Sequence, residues 1–254
     1  MRLAVHGIGK SFGGLAALRD VSFDVAPGEI KAVIGPNGAG KTTMFHLITG
    51  LLRPSAGRIE IDGRSLQGLS ATQIARFGVA RSFQQPQVFR SLTVLENVML
   101  GGDRHGRSGL LACGLGLPRA RVEERRQAAA AREHLDFTGL AHRAERIASE
   151  LPLGEQRYVE IARALATGAS LLLLDEPAAG LDETETEQLS ALILRIRSRG
   201  VTVLLIEHHM KFVMGLADSV LVLNFGARLA DGTPQAIRTS PEVIDAYLGT
   251  SDDA

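Results

Sequence analysis

Residues 35–42 read Gly-Pro-Asn-Gly-Ala-Gly-Lys-Thr, and this stretch decides the fold. It has the spacing of a phosphate-binding loop, in which glycine-lysine-threonine closes a glycine-rich run. Residues 30–34 before it are apolar except for Lys31 and predict a strand. The apolar positions at helical spacing in residues 41–52 predict a helix. In such a loop, consecutive backbone N–H groups converge on an anion, and the helix N-terminus adds partial positive charge. The sequence therefore predicts a strand, a phosphate-binding loop and a helix.

A second motif begins with four leucines at residues 171–174 and ends in Asp175 and Glu176. Alone, it could equally be a strand that ends in a solvated turn. Beside a phosphate loop, we expect Asp175 to hold Mg²⁺ through water and Glu176 to orient or deprotonate an attacking water. Lys41 would reach the β- and γ-phosphates, and the hydroxyl of Thr42 would bind Mg²⁺. The two motifs together indicate hydrolysis of a nucleotide.

Composition narrows the class of protein. The chain has 254 residues, of which 45% are apolar and 22% charged, as expected for one large folded domain. Lys plus Arg and Asp plus Glu are balanced at 28 each, so no general positive field favours nucleic acid. The single Cys113 excludes a disulfide framework and a cysteine zinc site. No apolar run is long enough for a spanning helix, and we expect a soluble, cytoplasmic protein.

Strands and helices alternate along most of the chain, which favours a mainly parallel α/β sheet covered by helices. Strands are predicted over residues 3–7, 17–26, 29–34, 58–62, 171–175, 201–207 and 220–224. Helices are predicted over residues 41–52, 119–135, 154–166 and 183–199. Residues 85–150 contain helix formers without strand signals and are interpreted as a helical insertion, with a glycine-rich loop over 101–118.

Five further motifs, in order around these two, resemble an ATP-binding-cassette (ABC) ATPase over nearly the whole chain. Residues 151–157, Leu-Pro-Leu-Gly-Glu-Gln-Arg, stand where that family has its signature, usually Leu-Ser-Gly-Gly-Gln. Gln84 matches the glutamine that links the nucleotide site to the membrane partner, and residues 179–182, which end in Asp182, resemble the D-loop. His208 matches the switch histidine at the γ-phosphate, and Phe12 the aromatic residue that stacks on adenine, although Phe12 could instead pack in the core.

The resemblance implies one domain over residues 1–254. This domain would be an α/β phosphate-loop cassette with a RecA-like core, a small antiparallel β-subdomain and a helical subdomain. Residues 1–84 and 151–254 would form the nucleotide-binding core, and 85–150 the helical subdomain. ATP and Mg²⁺ are the implied cofactors, with Glu176, His208 and Gln84 in catalysis and Thr42, Gln84 and Asp175 at the metal. The implied ATP contacts are Phe12, Gly35, Pro36, Asn37, Gly38, Ala39, Gly40, Lys41, Thr42 and Thr43.

The signature departs from the family pattern. The stretch consists of Leu151, Pro152, Leu153, Gly154, Glu155 and Gln156. Pro152 replaces the serine that would contact ATP bound to a partner cassette, and Leu153 replaces the first glycine. Proline suits the first position of a helix, so the helix N-terminus could still face a phosphate. Outside the signature, His209 also differs from the family pattern, which commonly has Asp after the switch histidine. We expect the His209 side chain to be solvated.

Within the superfamily, the sequence is most similar to the ATPases of branched-chain amino-acid importers. The shared stretches include residues 13–18, 81–84, 177–181, 206–208 and 240–249. Importers of urea, short amides or aromatic acids share this architecture, and a lipopolysaccharide-export ATPase is related. A non-transport ABC protein acting in translation or DNA repair is the alternative of a different class. The single phosphate loop, the absence of heptads and the balanced charge argue against it.

The resemblance also implies partners and a location. A second cassette, either a copy of this chain or a related one, would bind two ATP molecules together with this chain. The pair of cassettes would drive a permease at the cytoplasmic face of the inner membrane. A periplasmic or extracellular solute-binding protein would be an indirect partner, and no nucleic acid is expected. Val88 and Phe89 are apolar in a stretch expected to be exposed, where they could line the permease groove or pack within the insertion.

Overall fold

The computed structural model describes residues 1–102 and 118–248. Contacts divide the chain into two compact units, the first made of Met1–Arg81 and the chain from Ser170 onward, the second of Ser82–Ala169. In the part of the chain that is described, no helix combines the length and the apolar character needed to cross a membrane.

Ten strands are described in two sheets, both in the first unit. In chain order they are β1 (Leu3–Phe12), β2 (Leu15–Val25), β3 (Ile30–Ile34), β4 (Ala56–Ile61), β5 (Arg64–Ser65), β6 (Val79–Arg81), β7 (Leu171–Asp175), β8 (Thr202–Ile206), β9 (Ser219–Asn224) and β10 (Ala227–Gly232).

The α-helices belong to both units. They are α1 (Lys41–Ile48), α2 (Ala71–Arg76), α3 (Val94–Gly102), α4 (Pro118–Thr138), α5 (Leu153–Ala166), α6 (Glu183–Ser198), α7 (Met210–Leu216), α8 (Pro234–Arg238) and α9 (Pro241–Leu248). Two short 3₁₀ helices, Ala141–Arg143 and Ala148–Glu150, lie between α4 and α5.

The larger sheet has the strand order β10-β9-β3-β8-β7-β6. All neighbours are parallel except β10, which runs antiparallel to β9. Every residue of β3, β7 and β8 is buried, as expected where a parallel sheet is covered on both faces. Because the carboxyl ends of parallel strands meet at one edge, the segments after these three strands lie together.

The smaller sheet is antiparallel, with the order β2-β1-β4-β5. Its apolar side chains join those of α1 and the parallel sheet in one core, to which Val21 of β2, Phe45 of α1 and Leu173 of β7 all belong. The two sheets and α1 therefore form one packed body, and the predicted combination of a parallel core with an antiparallel β-subdomain is confirmed.

The second unit is built on α3, α4 and α5. Val94 and Val98 of α3, Leu135 of α4 and Val159 of α5 belong to one buried cluster. Helix α5 thus packs with the insertion, and the unit runs from 82 to 169, beyond the predicted insertion of residues 85–150 at both ends.

Two local predictions were wrong. The first helix ends at Ile48 rather than at residue 52, because Gly50 takes the left-handed conformation, with φ of 72°. The loop predicted over 101–118 is too long at both ends, since Gly102 still belongs to α3 and Pro118 begins α4. The rest of that prediction, residues 103–117, lies outside the described residues.

Candidate nucleotide site

The predicted phosphate-binding loop, residues 35–40, joins the end of β3 to the start of α1. Its surroundings require glycine at two positions. A Cβ atom on Gly35 would lie 2.1 Å from the carbonyl oxygen of Leu223, and one on Gly40 would lie 2.6 Å from that of Ala17. Gly40 also has φ of 96°, in the left-handed region. Residues with side chains therefore do not fit at these positions, and α1 starts directly behind the loop.

Lys41 is the first residue of α1, and its half-buried side chain lies over the loop. Its Nζ donates hydrogen bonds to the carbonyl oxygens of Gly35 at 2.6 Å and Pro36 at 2.9 Å. Burial lowers the pKa of Lys41, while the negative charges of Glu176 and Asp175 act in the opposite direction. The lysine and the two carboxylates therefore share one electrostatic environment.

Asp175 ends β7 and is buried. Its Oδ2 accepts a hydrogen bond of 2.6 Å from Nη2 of Arg81, in an ion pair whose two side chains are both buried. The Arg81 guanidinium also lies 5.5 Å from the centre of the Phe45 ring. These contacts fix the orientation of the carboxylate. Sequence analysis missed Arg81, which ends the strand beside β7.

The residues predicted to hold Mg²⁺ fit that ion by the chemistry of their donor atoms. Thr42 offers a hydroxyl in the exposed first turn of α1, and Asp175 offers a carboxylate. Gln84, an exposed residue of the second unit, offers an amide oxygen. Magnesium prefers oxygen ligands of these kinds and retains several waters, so a complete protein cage is unnecessary.

Glu176 follows β7 in a backbone conformation that is uncommon for residues other than glycine, with φ of 47°. Its N–H donates to the carbonyl oxygen of Ile206 at 2.9 Å. Its Oε2 lies 3.9 Å from Nδ1 of His208, and the two side chains are 22% and 63% exposed. The structure thus brings together the predicted water-activating carboxylate and the predicted switch histidine. His209 is exposed, as expected.

Two other predicted residues lie elsewhere in the first unit. Phe12 of β1 is 47% exposed, and Nζ of Lys10 lies 5.2 Å from its ring centre, so Phe12 is not a core residue. Asp182 is the N-cap of α6, where its Oδ1 accepts the N–H of Glu185 at 2.8 Å and Oε2 of Glu185 accepts the N–H of Asp182 at 3.0 Å. Asp182 therefore caps this helix, and its place in a D-loop stays a prediction.

In the second unit, buried side chains of α5 hold the segment around Gln84. Oε1 of Glu160 accepts the N–H groups of Phe83 at 3.3 Å and Gln87 at 3.4 Å. Nη2 of Arg157 donates to the carbonyl oxygen of Gln84 at 3.4 Å. Sequence analysis missed both side chains. The available signal was a pair of opposite charges three residues apart in a helix that otherwise packs through apolar residues.

The signature stretch opens α5. Pro152 occupies the N-cap position, and not the first helical position as predicted, because its ψ of 153° is extended and the helix begins at Leu153. Glu155, at the position of the family's glutamine, accepts two hydrogen bonds from Arg143, Nε to Oε2 at 3.0 Å and Nη2 to Oε1 at 3.1 Å. Gly154 lies in the first turn, where backbone N–H groups point out of the helix N-terminus.

Phe89 is 52% exposed, with the Arg163 guanidinium 5.3 Å from its ring centre. The buried Asn97 fixes its backbone, because Oδ1 accepts the Phe89 N–H at 2.8 Å and Nδ2 donates to the Phe89 carbonyl oxygen at 3.1 Å. Val88 packs partly against the core of the helical unit. The expected exposure is confirmed for Phe89, whereas Val88 is only partly exposed.

The parallel sheet, the glycine-dependent phosphate loop and the carboxylates at its edge define a phosphate-loop nucleotide-binding protein. Comparison with family models is more specific. Residues 18–179 match the ABC transporter family, and residues 227–253 match the model described as branched-chain amino acid ATP-binding cassette transporter. The chain belongs to the ABC transporter family of ATP-binding proteins, as predicted.

Individual relatives cover almost the whole chain. It is 46% identical over 248 residues to the high-affinity branched-chain amino acid transport ATP-binding protein BraF of Pseudomonas aeruginosa, and 45% identical to LivG of Escherichia coli K12, with 97% of each chain covered. The ADP conformation of an ABC transporter cassette superimposes with a TM-score of 0.85 at 32% identity, covering 98% of this chain and 99% of that one. A dimeric bacterial cassette gives a TM-score of 0.78 at 25% identity over 91% and 98%. These likenesses confirm the predicted fold class.

Proposed function

We propose that this chain is the ATP-hydrolysing subunit of an importer for branched-chain amino acids. The observation that carries the proposal is the approach of Glu176 to His208, at 3.9 Å, at the sheet edge that also bears the phosphate loop. Relatives at 45–46% identity are named as ATP-binding proteins of high-affinity branched-chain amino acid transport, and they support the choice of solute.

ATP binding is assigned to the first unit. The exposed ring of Phe12 stacks on adenine, and the backbone N–H groups of the loop surround the phosphates. Lys41 exchanges the carbonyl oxygens of Gly35 and Pro36 for phosphate oxygens, because its ammonium group binds a negatively charged oxygen more strongly than a neutral carbonyl oxygen. Thr42 and Asp175 would hold Mg²⁺, with Gln84 as the further ligand that the family resemblance implies, and the ion would supply positive charge to the phosphates.

Hydrolysis is assigned to Glu176 and His208. Glu176 orients a water molecule and accepts its proton as the water oxygen attacks the γ-phosphorus, and the bond between that phosphorus and the ADP oxygen breaks. His208 donates a hydrogen bond to the γ-phosphate. Both side chains are accessible from solvent, so water and nucleotide can reach them.

Transport requires partners. We assign the N-terminus of α5 around Gly154 to the ATP of a second cassette, which is a copy of this chain or a related one. A dimeric bacterial cassette is among the similar structures. Phe89 and the segment after Gln84 face a permease at the cytoplasmic side of the inner membrane, and a solute-binding protein delivers the amino acid from the other side.

The variant Glu176→Gln tests this proposal in the assembled transporter. It removes the proton acceptor and keeps the shape of the side chain, so we expect retained ATP binding, accumulation of an ATP-bound dimer and turnover lowered by about 10²-fold or more. Glu187→Gln, an exposed change of the same type on α6, is the matched control. Turnover of Glu176→Gln close to that of the control would remove Glu176 from the role of base.

A further inference from the structure

Glu207 is a fully buried carboxylate to which neither the sequence motifs nor the proposed reaction gives a role. It directly follows β8 and has 0% of its surface exposed. Its Oε1 accepts the N–H of Ala178 at 2.7 Å, and its Oε2 accepts those of His208 at 3.1 Å and His209 at 3.3 Å. A buried carboxyl group therefore has backbone N–H donors on both of its oxygens.

The backbone donors belong to two different segments of the site. Ala178 lies two residues after Glu176, in the turn that leaves β7. His208 and His209 follow Glu207 in the segment that leaves β8. The turn is also held at its start, where the N–H of Glu176 donates to Ile206 at 2.9 Å. Ile206 and Glu207 thus hold the turn at residues 176 and 178, and Glu207 holds the histidine segment as well.

The turn needs such support because its first residue is strained. Glu176 has φ of 47°, and conformations of this kind persist in non-glycine residues only where the surroundings enforce them. The Glu207 N–H donates to the carbonyl oxygen of Val33 at 3.2 Å, two residues before the phosphate loop. The carboxylate is therefore attached to the central strand β3 and cannot easily follow a movement of the turn.

We propose that Glu207 is a positioning residue that holds Glu176 and His208 in a fixed mutual arrangement for hydrolysis. This inference rests on the proposed function, because it assumes that those two side chains act on the γ-phosphate. Glu207 itself is not a catalytic residue, since it is fully buried and both of its oxygens accept backbone N–H groups. Its effect is exerted through the positions of Glu176 and His208, which it fixes through the backbone.

The variant Glu207→Gln tests the proposal in the assembled transporter. An amide has one accepting oxygen, so the N–H of Ala178 or those of the histidine segment lose their acceptor. We expect kcat to fall at least tenfold, with KM for ATP and the affinity for a fluorescent ATP analogue within threefold of wild type. The control is Asp218→Asn. Oδ2 of Asp218 accepts the N–H of Ile30 at 2.9 Å, where β3 begins, and kcat should stay within twofold.

A mutant cycle separates positioning from general destabilisation. In a background that carries both Glu176→Gln and His208→Ala, Glu207→Gln should lower the residual turnover less than twofold, because both side chains that it positions have been removed from the reaction. A further tenfold loss in that background would contradict the proposal. So would a kcat of Glu207→Gln equal to that of wild type.

Hydrogen exchange of the wild-type chain gives a second test that needs no variant to fold. The amides of Ala178 and His208 should exchange as slowly as those of β7 and β8, and exchange at the rate of exposed loops would overturn the proposal. A wild-type transporter without ATP turnover would refute the proposed function itself. An active wild type with an equally active Glu207→Gln would refute only the role of Glu207.

Discussion

The variant Glu160→Gln should change how the stability of this protein depends on pH. Glu160 is 2% exposed, its Oε1 accepts two backbone N–H groups, and the Arg163 guanidinium lies 3.9 Å away. Burial, opposed by these hydrogen bonds and by the positive charges of Arg163 and Arg157, raises the pKa of Glu160 from 4.5 to about 7. Between these two pKa values, the Glu160 carboxyl group therefore stays protonated in the folded chain and is ionised in the unfolded chain.

The sign and size of the effect follow from that difference. A pKa that is higher in the folded state contributes stability below pH 4.5, and the contribution is lost as pH rises through about 7. At about 1.4 kcal/mol per pH unit, the whole loss is roughly 3 kcal/mol. Glutamine resembles the protonated acid and has no such loss. Wild type should therefore lose roughly 2–3 kcal/mol relative to Glu160→Gln between pH 5 and pH 8.

Urea unfolding of both proteins at pH 5, 6, 7 and 8 measures this directly. All other titrating groups are shared, so the difference in the free energy of unfolding isolates Glu160. A difference that stays constant across this range would mean that Glu160 is ionised in the folded protein throughout. The reasoning from burial would then be refuted.

Four further variants test individual parts of the proposed function. Lys41→Ala should weaken equilibrium binding of a fluorescent ATP analogue at least tenfold, because the contact between the lysine ammonium and the phosphates is lost. Unchanged affinity would mean that the backbone of the loop binds phosphate alone. Gly154→Asp should abolish ATP turnover of the assembled transporter, since it places a carboxylate against the polyphosphate of ATP. Normal turnover would show that this signature binds no ATP that catalysis needs. Pro152→Ser should be tolerated and could tighten the ATP-bound dimer by about 1.5–3 kcal/mol at most. Phe89→Asp should abolish co-purification with the permease and leave ATP binding intact, whereas loss of both would indicate misfolding.

The central parts of the fold could be predicted because their signals are local. The glycine loop between β3 and α1, and the leucine run of β7, are specified by consecutive residues, and the structure places them as predicted. The edge strand Ala227–Gly232 was missed because no residue in it is fully buried, so it has no clear apolar alternation. Helix α3 was missed because its only charged residue, Glu96, serves in capping and the glycines at its end indicate a loop.

The supporting residues of the site could not be predicted because their partners are distant in sequence. Arg81 contacts Asp175 because β6 and β7 are neighbouring strands. Glu207 contacts Ala178 because β7 and β8 are neighbouring strands. A pattern of residue types specifies which strand ends in a carboxylate. It does not specify whether that carboxylate faces water or buried backbone N–H groups. Only the tertiary structure shows that Glu176 is partly exposed and that Glu207 is buried.

Uptake of radiolabelled leucine into proteoliposomes that contain the assembled transporter tests the central claim most directly. With ATP on the side of the cassettes and the solute-binding protein present, wild type should accumulate leucine. The transporter carrying Glu176→Gln should bind ATP and accumulate none. Leucine uptake that continued in that variant, or that needed no ATP in wild type, would contradict the conclusion that hydrolysis by this chain drives import.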